Sequence, residues 1–160
     1  MSKIILTIVM LLLLSSCGFT LRGYDSSLLS PELQQLQLSF DSNRNELAQT
    51  LRRRLISSGV DIVEDTAAYK LTLGNEQSIE RIVSVNRNVR AGEYEITLTA
   101  SFQLDNDGES VIAREIISVE QIYEADPNNA AAKTNETELV LDELRLALTE
   151  QIMRRLQTVR

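Results

Sequence analysis

Apolar positions along this chain recur with a period of two in some stretches and about 3.6 in others, and each switch marks an element. Leu36, Leu38 and Phe40 alternate with Gln37 and Ser39, which predicts a first strand. Asn43 followed by Glu46 resembles a helix cap with its reciprocal partner. Leu47, Ala48, Leu51 and Leu55 then share one helical face, and Gly59 is a fitting terminator. From Tyr69 the period returns to two. Tyr69, Leu71 and Leu73 alternate, and Ile79, Val83 and Val85 keep the same parity, predicting one long strand with a polar middle. "NRNVRAG", Asn86 to Gly92, reads as a loop. Glu93 to Leu104 is the clearest strand, with Tyr94, Ile96, Leu98, Ala100, Phe102 and Leu104 on one face. Asp107-Gly108 predicts a tight hairpin.

Val111 to Tyr123 is apolar on both sides. Val111, Ala113, Ile117, Val119 and Tyr123 fall on one face, and Ile112, Ile116 and Ile122 on the other. Such a strand is central or covered. Asp126-Pro127-Asn128-Asn129 breaks the pattern, and a helix is expected from about Thr134 or Asn135. Its stripe is Val140, Leu141, Leu144, Ala147, Leu148, Ile152 and Val159. The order β-α-β-β-β-α predicts an α+β fold over residues 32–160. It is a two-layer sandwich of a four-stranded, mostly antiparallel sheet with two helices on one face.

Two surface features stand apart from this core. Leu139, Leu146 and Met153 recur every seven residues, off the main stripe and near Asp142 and Glu150. They read either as scattered surface hydrophobes or as a contact face for a partner. Arg52, Arg53 and Arg54 flank the first helix, as a solvated face or a phosphate patch.

The first residues change the picture. Lys3 precedes an almost unbroken apolar run from Ile4 to Leu14. As a helix this run is about 16 Å long, short of the ~30 Å hydrocarbon core of a bilayer. It reads as a secretory signal over residues 1–16. Leu14-Ser15-Ser16-Cys17 resembles the bacterial lipobox, whose cysteine receives a diacylglycerol and becomes the acylated amino end. An ordinary signal with an incidental cysteine is the alternative. Cys17 is the only cysteine, so no disulfide forms within the chain. Two or more acyl chains anchor stably, and Gly18 in place of an aspartate favours the outer membrane. Residues 17–31, rich in turn formers, link the anchor to the fold.

Charge and composition exclude more than they select. The formal charge is −7, with 23 acidic and 16 basic residues, which argues against nonspecific binding of nucleic acid. The chain has no histidine, so the commonest general base and metal ligand is missing. No nucleophile elbow, phosphate loop or dinucleotide fingerprint appears. Asp105-Asn106-Asp107-Gly108 has the wrong spacing for a calcium loop and suits a hairpin turn. The residues point to no catalytic group, metal or cofactor.

Cys17-Gly18-Phe19-Thr20-Leu21-Arg22-Gly23 resembles the start of the mature LptE family, lipoproteins of lipopolysaccharide assembly. Arg87-Asn88 through Gly92-Glu93-Tyr94, and Asp126-Pro127 followed by Ala130 to Lys133, resemble further segments of that family. The resemblance implies a plug inside an LptD-like outer-membrane β-barrel, forming a heterodimer that places lipopolysaccharide in the outer leaflet. It also implies a lipid anchor in the periplasmic leaflet. Arg87 and Lys133 fall where the family has basic residues implicated in contacting lipopolysaccharide. Arg90 joins them by its place on the same loop, since arginine suits phosphate through planar, paired donors. Lys133 opposes the helix dipole, which favours a ligand or partner contact there. A secretin pilot, a periplasmic lipid-binding adaptor and a lipid-anchored hydrolase are the competing readings. Metabolic labelling with palmitate is expected to mark the wild-type chain and leave Cys17→Ser unmarked.

Overall fold

The computed structural model describes residues 29–41, 45–65, 67–85, 91–126 and 129–159. A 3-10 turn at Pro31–Gln34 buries Leu33 and leads into β1 (Gln35–Phe40). Then come α1 (Glu46–Ser57), β2 (Asp61–Val63), β3 (Tyr69–Leu73), β4 (Gln77–Val85), β5 (Ala91–Asn106), β6 (Glu109–Glu124) and α2 (Ala130–Leu156).

The elements form one mixed sheet with both helices packed over its core face. β1 lies between β2 and β3 and runs parallel to both. β5 is antiparallel to β3, β4 and β6. One edge of β5 meets β3 and β4 end to end, and its other edge carries β6 along nearly its whole length. The α+β class is as the pattern predicts. The sheet is mixed and six-stranded, however, instead of four-stranded and mostly antiparallel. β2 is three residues long, too short to display a period. The helix between β1 and its two parallel neighbours is the crossover that parallel pairing requires.

The expected long strand is broken at Gly74–Glu76. Leu73 pairs with Phe102 and Gln77 with Thr99, so four steps along this segment oppose three along β5. One residue too many is a bulge, and it reverses parity beyond it. Leu71 and Leu73 therefore face the core, while Ile79 pairs with Thr97 on the outer face and is 68% exposed. The expectation that Ile79 continues the buried row fails for this reason. Glu80, paired with Ile96, takes the inward position instead. A cramped backbone accompanies the break: a Cβ on Gly74 would lie 2.4 Å from Ser101 Oγ. β6 has a shift of its own, since Phe102 pairs with Glu115 and Leu104 with Ile112. Ile112 thereby joins the core, leaving Ile116 and Ile122 exposed outside. That shift resolves the two-sided apolar pattern of this strand.

Helix ends follow local chemistry. Asn45, not Asn43, caps α1, with its Oδ1 accepting from Ala48 N–H at 3.1 Å; Asn43 lies outside the described residues. Gly59, at φ 84°, ends the helix as predicted. Its N–H donates to Ile56 O and that of Val60 to Leu55 O, with Leu55 and Val60 both buried, the arrangement of a Schellman cap. α2 starts earlier than its apolar stripe suggests. Asn129 Oδ1 accepts from Ala132 N–H, and three alanines with high helix propensity open the first turn.

The core joins Leu47, Leu51 and Leu55 of α1, Leu144, Leu148 and Ile152 of α2, and Leu71, Leu98, Phe102 and Leu104 of the sheet. Asn45 ties these layers together, because its Nδ2 also donates to Gly74 O at the bulge, at 3.0 Å and buried. Replacing Asn45 with Ala removes the cap and orphans a buried carbonyl. Urea denaturation is expected to show a loss of about 1–3 kcal/mol. Asn45→Ser keeps a cap acceptor without setting a charge against Gly74 O, and should fall between wild type and the Ala variant.

Candidate functional site

Where α2 begins, it passes over the far ends of β4, β5 and β6. Lys133 and Thr137 are four residues apart on α2 and so share a helix face. Beneath them lie Glu80 of β4, Tyr94 of β5 and Tyr123 of β6, brought to the inner face by the register described above.

These five residues form one network. Lys133 Nζ donates to Glu80 Oε1 at 2.5 Å and sits 3.9 Å from the centroid of the Tyr94 ring. That distance is within cation–π range. Tyr123 Oη donates to the other Glu80 oxygen at 2.6 Å and lies 2.8 Å from Thr137 Oγ1. Tyr94 and Tyr123 stack with centroids 5.6 Å apart. Ile82 pairs with Tyr94 on the same face but lies beyond the cover of the helix, 59% exposed. A cation, two aromatic rings and an open apolar side chain thus adjoin one another. Arg87 and Arg90 belong to the segment joining β4 to β5 and lie outside the described residues, as does Cys17.

Burial pushes the Glu80 carboxyl up, yet hydrogen bonds from Lys133 and Tyr123 outweigh it and hold the carboxyl below its ordinary 4.5. The Tyr123 phenol is raised above 10.0 by burial first and by its bond to Glu80 second. Lys133 is raised above 10.5, chiefly by the bond to Glu80 and against burial. Both partners of the ion pair are charged at neutral pH.

The expected partner face divides. Leu139 and Leu146 are 62% and 58% exposed, but Met153 is 1% exposed and packs into the core. An α-helix drifts about 20° per heptad. Two heptads carry Met153 round toward Thr149, Ile152 and Leu156, all of them buried. Arg54 leaves the expected basic flank to pair with Glu150 of α2 at 2.6 Å, and Arg53 donates to Thr50. A groove of about 530 Å³ between β6 and α2 is lined by Glu120, Gln121, Glu143 and Ala147 among others. Gln121 spans it to Glu143 at 2.9 Å. Its carboxylates make it a poor seat for an anion. Among the described residues, no His/Cys/Asp/Glu group is placed to hold a metal, and no helix is long and apolar enough to cross a membrane.

Glu80, Tyr94, Tyr123 and Thr137 were not singled out as site residues by the sequence pattern. Both tyrosines read as core, and Glu80 reads as the outward residue of an unbroken strand. The polar interruption at Gly74-Asn75-Glu76 was the one local sign that parity changes.

Fold and site define a class: a small α+β domain with two helices over a mixed sheet, and a Lys133–Glu80 ion pair set against two tyrosines at one end. A family model for lipopolysaccharide assembly, LptE, matches residues 33–156. LPS-assembly lipoproteins LptE of Yersinia pestis and Yersinia pseudotuberculosis are 30% identical over 152 residues, covering 92% of this chain and 72% of theirs. The rare lipoprotein B of Shewanella oneidensis superposes with a TM-score of 0.68 at 28% identity, covering 76% of this chain and 92% of that one. A lipoprotein B of Nitrosomonas europaea shares the fold, with a TM-score of 0.68 at 19% identity over 88% of this chain and 90% of its own. The chain belongs to the LptE family of lipopolysaccharide-assembly lipoproteins.

The raised and lowered pKa values set a pH dependence. A carboxyl lowered in the fold stabilises it above its unfolded value, here 4.5, and loses that contribution as the pH falls through the folded value. Glu80→Gln is therefore expected to be less stable than wild type at pH 7, by up to about 1 kcal/mol. The two should converge as the pH falls below 4.5 and through the lowered folded-state value, where the wild-type carboxyl takes up its proton. Urea midpoints measured from pH 7 downward check this.

Proposed function

We propose that this lipoprotein is held in the periplasmic leaflet of the cell outer membrane through acylated Cys17. There it plugs an LptD-like β-barrel as a heterodimer, supports the assembly of that barrel, and binds lipopolysaccharide during its insertion into the outer leaflet. The role is that of a binding protein and not of an enzyme.

One observation carries the ligand part. Lys133 sits on an aromatic ring beside the open Ile82, next to the strands whose connection bears Arg87 and Arg90. Lipopolysaccharide is both phosphorylated and acylated, so it needs cations and apolar surface together. Arginine and lysine meet phosphate with strong charge-assisted bonds. The acidic body offers no long-range attraction for such a ligand, so recognition rests on this local cluster.

The barrel part is supported by apolar surface that the domain leaves uncovered. Leu139 and Leu146 project from α2, and Ile79, Ile116 and Ile122 from the outer face of the sheet. A plug surrounded by a barrel wall would cover such positions on several sides.

Replacing Arg87 and Lys133 together with Gln separates the two roles. Binding of purified lipopolysaccharide is expected to weaken about tenfold or more, at roughly 1–3 kcal/mol for lost hydrogen bonds to charged groups. Pull-down from detergent-solubilised outer membranes should still recover the large barrel, identified by mass. Unchanged lipopolysaccharide binding discards the assignment of these residues, and recovery of a secretin in place of a barrel discards the plug.

A further inference from the structure

Lys133 is not free to receive a ligand. Its ammonium is held by Glu80 on one side and by the Tyr94 ring on another. Glu80 is itself anchored, since Tyr123 occupies its second oxygen and Tyr123 in turn meets Thr137. The carboxylate therefore stands on the cation at the place where a phosphate oxygen would make its bond. Carboxylate and phosphate ester compete for the same kind of donor.

We propose that Glu80 is a resident competitor at this site. Capture of an anionic headgroup is an exchange, in which a phosphate group of the lipid displaces the Glu80 carboxylate from Lys133. The displaced carboxylate keeps its bond from Tyr123, so it is moved aside without being left bare. This rests on the reading of Lys133 as a lipopolysaccharide contact and assigns a further specificity-determining residue to it. A weakly held or singly charged anion gains little by replacing one carboxylate with another. A doubly charged phosphate ester gains more, and bringing acyl chains against Ile82 and Tyr94 adds to that gain. The resident carboxylate thus filters for phosphorylated lipids over ordinary anions, the kind of discrimination that a built-in repulsive element supplies.

The geometry makes a directional prediction. A cation that is mostly occupied binds with an apparent affinity reduced by its free fraction. Glu80→Gln, which keeps size and hydrogen bonding but removes the charge, should tighten binding of purified lipopolysaccharide by about three- to tenfold. If Glu80 instead served only to position Lys133, the same variant would weaken binding. Lys133→Gln alone should weaken it, and in Glu80→Gln with Lys133→Gln the gain should vanish. Tightening that survives loss of Lys133 reflects only the altered net charge and overturns the exchange. So does unchanged or weaker binding by Glu80→Gln while Lys133→Gln still weakens it; the site then stands without its competitor. Binding that ignores Lys133→Gln overturns both the site and the exchange.

A parallel titration with inorganic phosphate separates two sources of the same chemistry. Tightening toward lipopolysaccharide alone supports exchange with a lipid headgroup, and tightening toward both supports exchange with phosphate in general. Should Glu80→Gln melt well below wild type, Glu80→Asp carries the test with all charges in place. It draws the carboxylate back from Lys133 by one methylene, so modest tightening supports the exchange and unchanged or weaker binding overturns it.

Discussion

One extra residue between Leu73 and Gln77 decides which side of the sheet Glu80 occupies. Without it, continuous pairing from Leu73 with Phe102 would set Ile79 against Ile96 on the buried face and turn Glu80 outward. With it, Glu80 meets Lys133 and Tyr123. The bulge is held from several directions. Asn45 donates to Gly74 O, and Gly74 N–H donates to Ser101 O. Glu76 accepts from Leu47 N–H at the start of α1 and from Arg145 of α2. A bulge of this kind re-aims every side chain that follows it. The cluster at the start of α2 depends on that re-aiming.

Charge in this protein works mostly over short distances. Arg145 is nearly buried and meets Glu46, Glu76 and Asp142. Arg54 meets Glu150, and Arg155 holds Glu115 through paired donors. These contacts stitch α2 to α1 and to the sheet. A nearly buried guanidinium surrounded by carboxylates fixes geometry more than it adds net stability, because desolvation offsets much of the attraction. Lys133 is used in the same manner, held by Glu80 over the Tyr94 ring.

The two faces of the sheet have different fates. The inner face packs under both helices and supplies the core. The outer face of β4, β5 and β6 carries Ile79, Ile116 and Ile122 exposed, among Thr97, Thr99 and Ser118 and the Arg81–Glu95 pair. Apolar side chains scattered among polar ones keep a domain manageable alone and still let it bury area against a partner. The cluster around Lys133 lies on the inner side and at one end, away from that outer face.

Local sequence determined the parts of this protein that depend on near neighbours. Alternation along Tyr94 to Leu104, the face of Leu47, Leu51 and Leu55, the Gly59 terminator and the stripe from Val140 to Ile152 all describe what one segment buries. Such patterns are read from a few consecutive residues, because strand and helix periods are local properties. Family membership was legible for a similar reason, since short segments in a fixed order carry it. The tertiary structure alone decided the parallel pairing of β1, the three-residue β2, and the bulges in the β3–β4 segment and in β6. It also decided that Met153 turns inward while Leu139 and Leu146 do not. Register belongs to a pair of strands, and the buried arc of a long helix belongs to whatever it crosses. Neither is a property of one segment, so neither the place of Glu80 nor the network it completes could be read along the chain.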